Sequence, residues 1–224
     1  MGLGKKVLDL QAVIRWVLAR RVALVILLVM MIPPSWPFVK ATGKAATEDG
    51  YSTDFEAAEL FKIYSLVRRA RPDADDGWAW HVAKTVLDES WRHRMDPLLV
   101  LAVIGVESDF KDTAISVKGA KGLMQLLPVA AQVSAQERMA MWGDKRIPET
   151  PPLYDPVLNI KLGISYLDFL RKSFGDTKLA LAAYNHGPTW IKSRIAEELH
   201  VPLGYATRVL STHQRYRQDT LQAD

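Results

Sequence analysis

Apolar residues recur three and four places apart over most of the chain beyond residue 54, and no long run alternates apolar with polar. That period belongs to helices with one buried face rather than to strands. Phe55, Ala58, Leu60, Ile63, Tyr64, Val67 and Ala70 mark a first helix from a cap at Asp54 to about Arg71, where Pro72 stops it. Trp78, Val82, Val86 and Trp91 mark a second over residues 77–92. Asp96–Pro97 pairs a capping side chain with proline at the first helical position and opens the oily segment LLVLAVIGVES. Asp155–Pro156 repeats the device and opens a helix striped by Ile160, Ile164, Leu167, Leu170 and Phe174, with Gly175 to end it. Shorter helices follow over 178–184, 188–199 and 203–217, while the proline-rich residues 143–155 read as one loop. The fold class expected is mainly α.

The first forty residues break this pattern. Val22–Ile32 is a run of apolar residues behind Arg20 and Arg21, closed by Pro33 and Pro34. A bilayer core needs about 20 apolar residues, so the run suits an export signal, with Val39 and Ala41 in place for a cut before Thr42. Trp36, Pro37 and Phe38 would instead extend it into an N-terminal membrane anchor. Residues 1–41 are therefore read as signal peptide or anchor, with inner-membrane association through residues 22–38 in the second case. Residues 42–53 read as a linker, residues 54–94 as N-terminal packing helices and residues 95–217 as the functional domain.

Composition changes the picture in two places. The 224 residues, 49% of them apolar, suffice for one domain with a real core. They include no cysteine, so a lipoprotein anchor, a disulfide framework and thiolate metal sites are excluded. The net charge of +4 is an N-terminal effect. Lys5, Lys6, Arg15, Arg20, Arg21 and Lys40 face only Asp9 in residues 1–41, which leaves the remainder slightly acidic. Such a body lacks the electrostatic footprint of a nucleic-acid binder. The five histidines include no i, i+4 pair, so neither metal nor cofactor is implied. Trp78, Trp80 and Trp91 stand at helical positions and read as core rather than as a sugar-stacking row.

Glu107 is the candidate for chemistry. Val100, Val103 and Ile104 lie on its helical face, and the carboxyl sits near the helix C-terminus. Both surroundings disfavour its charged form, which predicts a raised pKa and a proton held near neutrality, the condition of a general acid. The plain alternative is a glutamate pointing into water from a frayed helix end. Ser116, Gly119, Ala120 and Gly122 follow as tiny side chains that let backbone approach a ligand, or simply make a turn, and Gln125 adds an amide.

The spacing E-S-x-F-x-x-x-A-x-S-x-x-G-A-x-G-L-M-Q-x-x-P from Glu107 to Pro128 resembles the motif of the soluble lytic transglycosylase domain, a lysozyme-like family related in fold to goose-type lysozyme. Asp155, Pro156, Asn159, Ile160, Gly163, Tyr166 and Leu167 match its second signature, and ALAAYNHGP, Ala180–Pro188, its third. The chain departs from the family at Asp112 for proline, Leu127 for methionine, Ala130 for threonine and His186 for alanine, and only Tyr205 of VPLGYATRVL fits the C-terminal segment. The resemblance implies an enzyme on peptidoglycan glycan strands in the bacterial periplasm. Glu107 would protonate the glycosidic oxygen and then, as base, help the muramoyl C6 hydroxyl close a 1,6-anhydro ring. Ser116, Gln125, Tyr184, Asn185 and Tyr205 would bind substrate, although a turn cap, backbone bonds and core packing are the plain alternatives for the first three. An envelope machine is the partner such an enzyme would serve. Asp109 and Asp112 are poorly placed to act as a second carboxylate. A hydrolase of the same fold and a silent murein-binding module are the competing readings.

Overall fold

The computed structural model describes residues 48–143, 147–148 and 151–221, with side chains from Asp54 onward. The chain divides into two units, Met1–Ala46 and Thr47–Asp224, and the first, with the expected signal or anchor, lies outside the described residues. The second contains α1 (Glu48–Ala70), α2 (Asp76–Arg92), α3 (Pro97–Ser108), α4 (Pro128–Trp142), α5 (Pro156–Phe174), α6 (Thr177–His186), α7 (Pro188–Ala196) and α8 (Gly204–Leu221). Among the described residues no strand forms, and only single-residue bridges tie Lys121 to Ile115 and to Leu126. No helix among them is long and apolar enough to cross a membrane.

Asp96 and Asp155 start their helices as expected, and Asp75 and Asp176 do the same where no cap was expected. The carboxylates of Asp75, Asp96, Asp155 and Asp176 each accept a backbone N–H from the first turn of α2, α3, α5 and α6, at 2.7 to 2.9 Å. Gly143 and Gly175 close α4 and α5 in the left-handed conformation.

The heart of the fold is α3, whose residues Leu99 to Ile104 are all buried. It packs chiefly against α8, while α2 joins α1 to α5 and α6 bridges α5 to α7 and α8. Each fully buried Leu, Val or Ile of α3 is worth roughly 1.5–3 kcal/mol, so this short helix is anchored by packing rather than by propensity.

Three expectations are revised. The first helix begins at Glu48 rather than at a cap on Asp54, and its buried stripe is Leu60, Ile63, Leu66 and Val67, while Phe55 stays exposed. Trp80 and Trp91 are also exposed, because the face of α2 that meets α1 and α5 is built from Ala79, Val82, Ala83, Val86 and Leu87. Finally, α4 stands where the sequence carried no distinct helical signal. Its buried positions are Ala130, Ala131, Ser134 and Arg138, and Leu127 makes no side-chain cap, so neither an oily stripe nor a capping residue announces it.

Candidate active site

Glu107 occupies the last turn of α3, where the chain leaves the helix abruptly. Asp109 and Phe110 take left-handed conformations (φ 52° and 58°), and Phe110 plugs back into the core while its carbonyl accepts from Arg71 at 2.6 Å. The Ser108 hydroxyl donates to the Leu123 carbonyl at 2.8 Å, which folds the following loop over the helix end.

That loop, Lys111–Leu127, forms one wall of an open cavity of about 580 Å³ whose lining includes Glu107, Ser116, Gln125, Tyr184 and Asn185. The size is ordinary for a ligand site. Four of the five residues expected to bind substrate are thus gathered around the carboxyl. Their plain alternatives hold as well, since the same side chains also build the wall. The Ser116 hydroxyl accepts the Ala120 N–H at 3.0 Å, closing a turn. Gln125, at φ 46°, donates its amide NH₂ to the carbonyls of Ala114 and Gly122 at 3.1 and 2.9 Å. Those acceptors fix the orientation of the amide and leave its Oε1 without a partner among the described residues. The Tyr184 hydroxyl donates to the Met124 carbonyl at 2.7 Å. Asn185 is exposed at the end of α6.

Tyr205 is placed differently. It is buried on α8, outside the cavity lining, and its hydroxyl donates to Glu107 Oε1 at 2.6 Å. It holds the carboxyl rather than facing a ligand. The second carboxyl oxygen, Oε2, has no hydrogen bond from the described residues.

Burial raises the pKa of Glu107, against the opposing pull of the Tyr205 hydrogen bond and the Arg208 charge. The phenols of Tyr184 and Tyr205 are pushed far above their ordinary value, first by burial and then by the Glu107 charge, so both are donors at any working pH. Among the described lining residues Glu107 alone carries a carboxyl. Asp109 points outward beside Lys111, and Asp112 accepts from Trp78 Nε1 at 3.1 Å.

The glycines and Asn159 explain why three distant segments act together. A Cβ on Gly122 (φ 77°) would collide with the Leu153 carbonyl and the Asn159 side chain, so this glycine admits α5 rather than a ligand. Asn159 is fully buried and satisfies three groups: Oδ1 accepts from Met124 N at 2.7 Å, and Nδ2 donates to the carbonyls of Lys121 and Leu153 at 2.9 and 2.8 Å. Gly163, one turn on, leaves the space that Met124 fills. Sequence reasoning used Asn159 and Gly163 only as a family signature and read Gly122 as room for a ligand or a turn; an asparagine one turn before a glycine on one helical face was the available signal.

A helical body that presents one desolvated carboxyl to an open cleft defines a lysozyme-like domain. The family model of the Transglycosylase SLT domain matches residues 84–201, and the chain belongs to that family. Membrane-bound lytic murein transglycosylase C of Haemophilus influenzae (strain PittGG) is 40% identical over 85 residues, covering 38% of this chain and 23% of that protein. Membrane-bound lytic murein transglycosylase E of Buchnera aphidicola is 37% identical over 115 residues, covering 51% of this chain and 49% of its own. These matches therefore span less than half the length of either relative. Among solved structures, the lytic transglycosylase Slt of Pseudomonas aeruginosa, an inactive glutamate-to-glutamine mutant, superposes with a TM-score of 0.50 at 27% identity, over 61% of this chain and 24% of that one. The 70 kDa soluble lytic transglycosylase of Escherichia coli gives 0.52 at 22% identity over 75% and 29%, a likeness of fold.

Proposed function

We propose that this chain is a peptidoglycan lytic transglycosylase that cuts the β-1,4 bond between N-acetylmuramic acid and N-acetylglucosamine, with Glu107 as its one acid and base. A single observation carries the reading: one carboxyl, whose pKa burial raises, is the only one among the described residues lining an open cavity of about 580 Å³. Tyr205 donates to Oε1, which leaves the acidic proton on Oε2, the oxygen free to face the glycosidic bond. That proton passes to the leaving oxygen as the C1–O bond breaks. The carboxylate left behind then takes the proton of the muramoyl C6 hydroxyl as its oxygen bonds to C1, closing the 1,6-anhydro ring. The proton count returns to its start and no water enters. The substrate's own N-acetyl group shields the cationic C1, the task a second carboxylate performs in most glycosidases. Ser116, Gln125, Tyr184 and Asn185 hold the sugars, and Tyr205 is a positioning residue.

The glutamate-to-glutamine change in the inactive Pseudomonas relative supports a glutamate as the acting acid. The membrane-bound names of the Haemophilus and Buchnera relatives support work in the cell envelope, with residues 1–41 exporting or anchoring the domain and an envelope machine as its client.

Digestion of purified sacculi followed by mass spectrometry is expected to yield 1,6-anhydromuramoyl ends, and reducing ends alone would reassign the chain as a hydrolase. Glu107→Gln should lower turnover by about 10²–10⁴-fold, the usual worth of a general acid, while binding to sacculi persists. Turnover near that of the parent would remove Glu107 from the mechanism, and a parent that binds murein without cutting it would be a silent module.

A further inference from the structure

At the cavity mouth stands a side chain that the proposed chemistry leaves unused. His186 ends α6, is exposed, and lines the cavity where the family pattern has alanine. Its ring lies against Trp190 of α7, with centroids 5.0 Å apart and planes at 36°. Trp190 remains 42% exposed and carries the Arg194 guanidinium 5.0 Å from its centroid. Arg194 is tied down in turn, its Nε donating to the His200 carbonyl. The series His200 carbonyl, Arg194, Trp190, His186 therefore braces the imidazole at the edge of the cleft, where an unsupported exposed histidine would sample several rotamers. A brace of this kind is what a contact residue needs if it is to spend little entropy on binding.

The charge at the mouth indicates what the imidazole meets. Lys118, from the loop after Ser116, lines the same cavity and has no ion-pair partner among the described residues. Among the described lining groups, Glu107 is the sole acid, and it is engaged by Tyr205. Two nitrogen-bearing side chains from different elements thus line the cavity, with no acid in the described lining besides Glu107. Hydrogen-bond donors and positive charge so placed favour a carboxylate-bearing ligand.

We propose that His186, braced by Trp190 and Arg194, forms with Lys118 a specificity subsite for the carboxylates of stem peptides, so that peptide-substituted glycan is preferred over stripped strands. The proposal rests on reading the cavity as a glycan cleft. His186 and Lys118 touch the substituent; Trp190 and Arg194 position His186 without touching it.

The test compares soluble glycan strands carrying stem peptides with the same strands after amidase removal of the stems, using the full chain. The parent should show a KM several-fold lower on the substituted strands, and added salt should shrink that gap. His186→Ala and Lys118→Ala should each raise KM on substituted strands several-fold and leave KM on stripped strands nearly unchanged. Trp190→Ala should reproduce the His186→Ala change, and the double variant should add little to either, since both act through one contact. Equal KM of the parent on the two substrates, or equal changes in the variants on both, would overturn the subsite. The same comparison made by binding to Glu107→Gln protein needs no turnover. A stem preference there alongside a parent that makes no anhydro ends would sink the transglycosylase reading and keep the subsite; anhydro ends with no preference would do the reverse.

Discussion

Two opposed effects set the behaviour of Glu107. Burial raises its pKa, while the Tyr205 hydroxyl and the Arg208 charge, whose guanidinium lies 5.7 Å from the Tyr205 ring centroid, hold part of that rise back. Tyr205→Phe removes the hydroxyl and keeps the ring. The carboxyl pKa should then climb further, so the alkaline limb of kcat/KM, which marks loss of the acidic proton, should move to higher pH. Turnover should fall about tenfold at the same time, because Oε1 loses the bond that aims Oε2. A limb that stays in place or moves to lower pH would show that Tyr205 does not act on Glu107.

Among the elements, the contact of α5 with the loop over Glu107 decides whether a site forms at all. Asn159 pairs two buried backbone groups, the Met124 N–H and the Leu153 carbonyl, which otherwise have no water to turn to, and adds a second donor to the part-buried Lys121 carbonyl, which also accepts from Leu126 N. Leaving such groups unsatisfied costs about 1–3 kcal/mol each. Asn159→Ala should therefore lower the unfolding free energy by about 2 kcal/mol or more, read from the urea midpoint, with a slope that stays near the parent's. A loss under about 1 kcal/mol would mean that the loop holds itself. Asn159, Gly122 and Gly163 stood in the sequence as isolated letters of a pattern. Their partnership was invisible there because Gly122 and Asn159 are 37 residues apart and meet only when α5 docks.

Across the folded body, a second buried network locks α2, α4 and α5 together away from the cavity. Arg138 reaches both carboxylate oxygens of Glu89 at 2.6 and 3.3 Å, and Trp142 packs edge-on against His93. His93 in turn bridges Asp168 at 2.9 Å and Ser165 at 3.2 Å. The order serine, histidine, aspartate looks like a nucleophile arrangement, yet all three are buried and serve the packing. Burial pushes the Asp168 carboxyl up, but hydrogen bonds and charge from His93 and Lys172 outweigh it and hold the pKa at about 2, against 3.8 ordinarily. A lowered carboxylate pKa lends stability that is complete above the unfolded value and vanishes as pH falls through the folded one. The parent should thus exceed Asp168→Asn by about 2 kcal/mol at neutral pH, with the margin closing between about pH 4 and pH 2. Acid titration of the two proteins by circular dichroism checks this, and a margin constant across that range would show that the pairing contributes nothing.

The sequence by itself determined the helical class and most helix starts, because caps, prolines and a 3.6-residue apolar period are local signals that need no partner, and it singled out Glu107 as the candidate acid. It also held the family spacing that gathered Ser116, Gln125, Tyr184 and Asn185. Only the tertiary structure decided that α4 exists, that Phe55, Trp80 and Trp91 face outward, that Tyr205 stands behind Glu107 rather than in the cleft, and that His186 is braced at its mouth. Those outcomes depend on which surfaces meet: α4 buries alanines, a serine and an arginine that no periodicity distinguishes from solvent-facing residues, and Tyr205 reaches Glu107 across 98 residues of chain because α8 packs along α3.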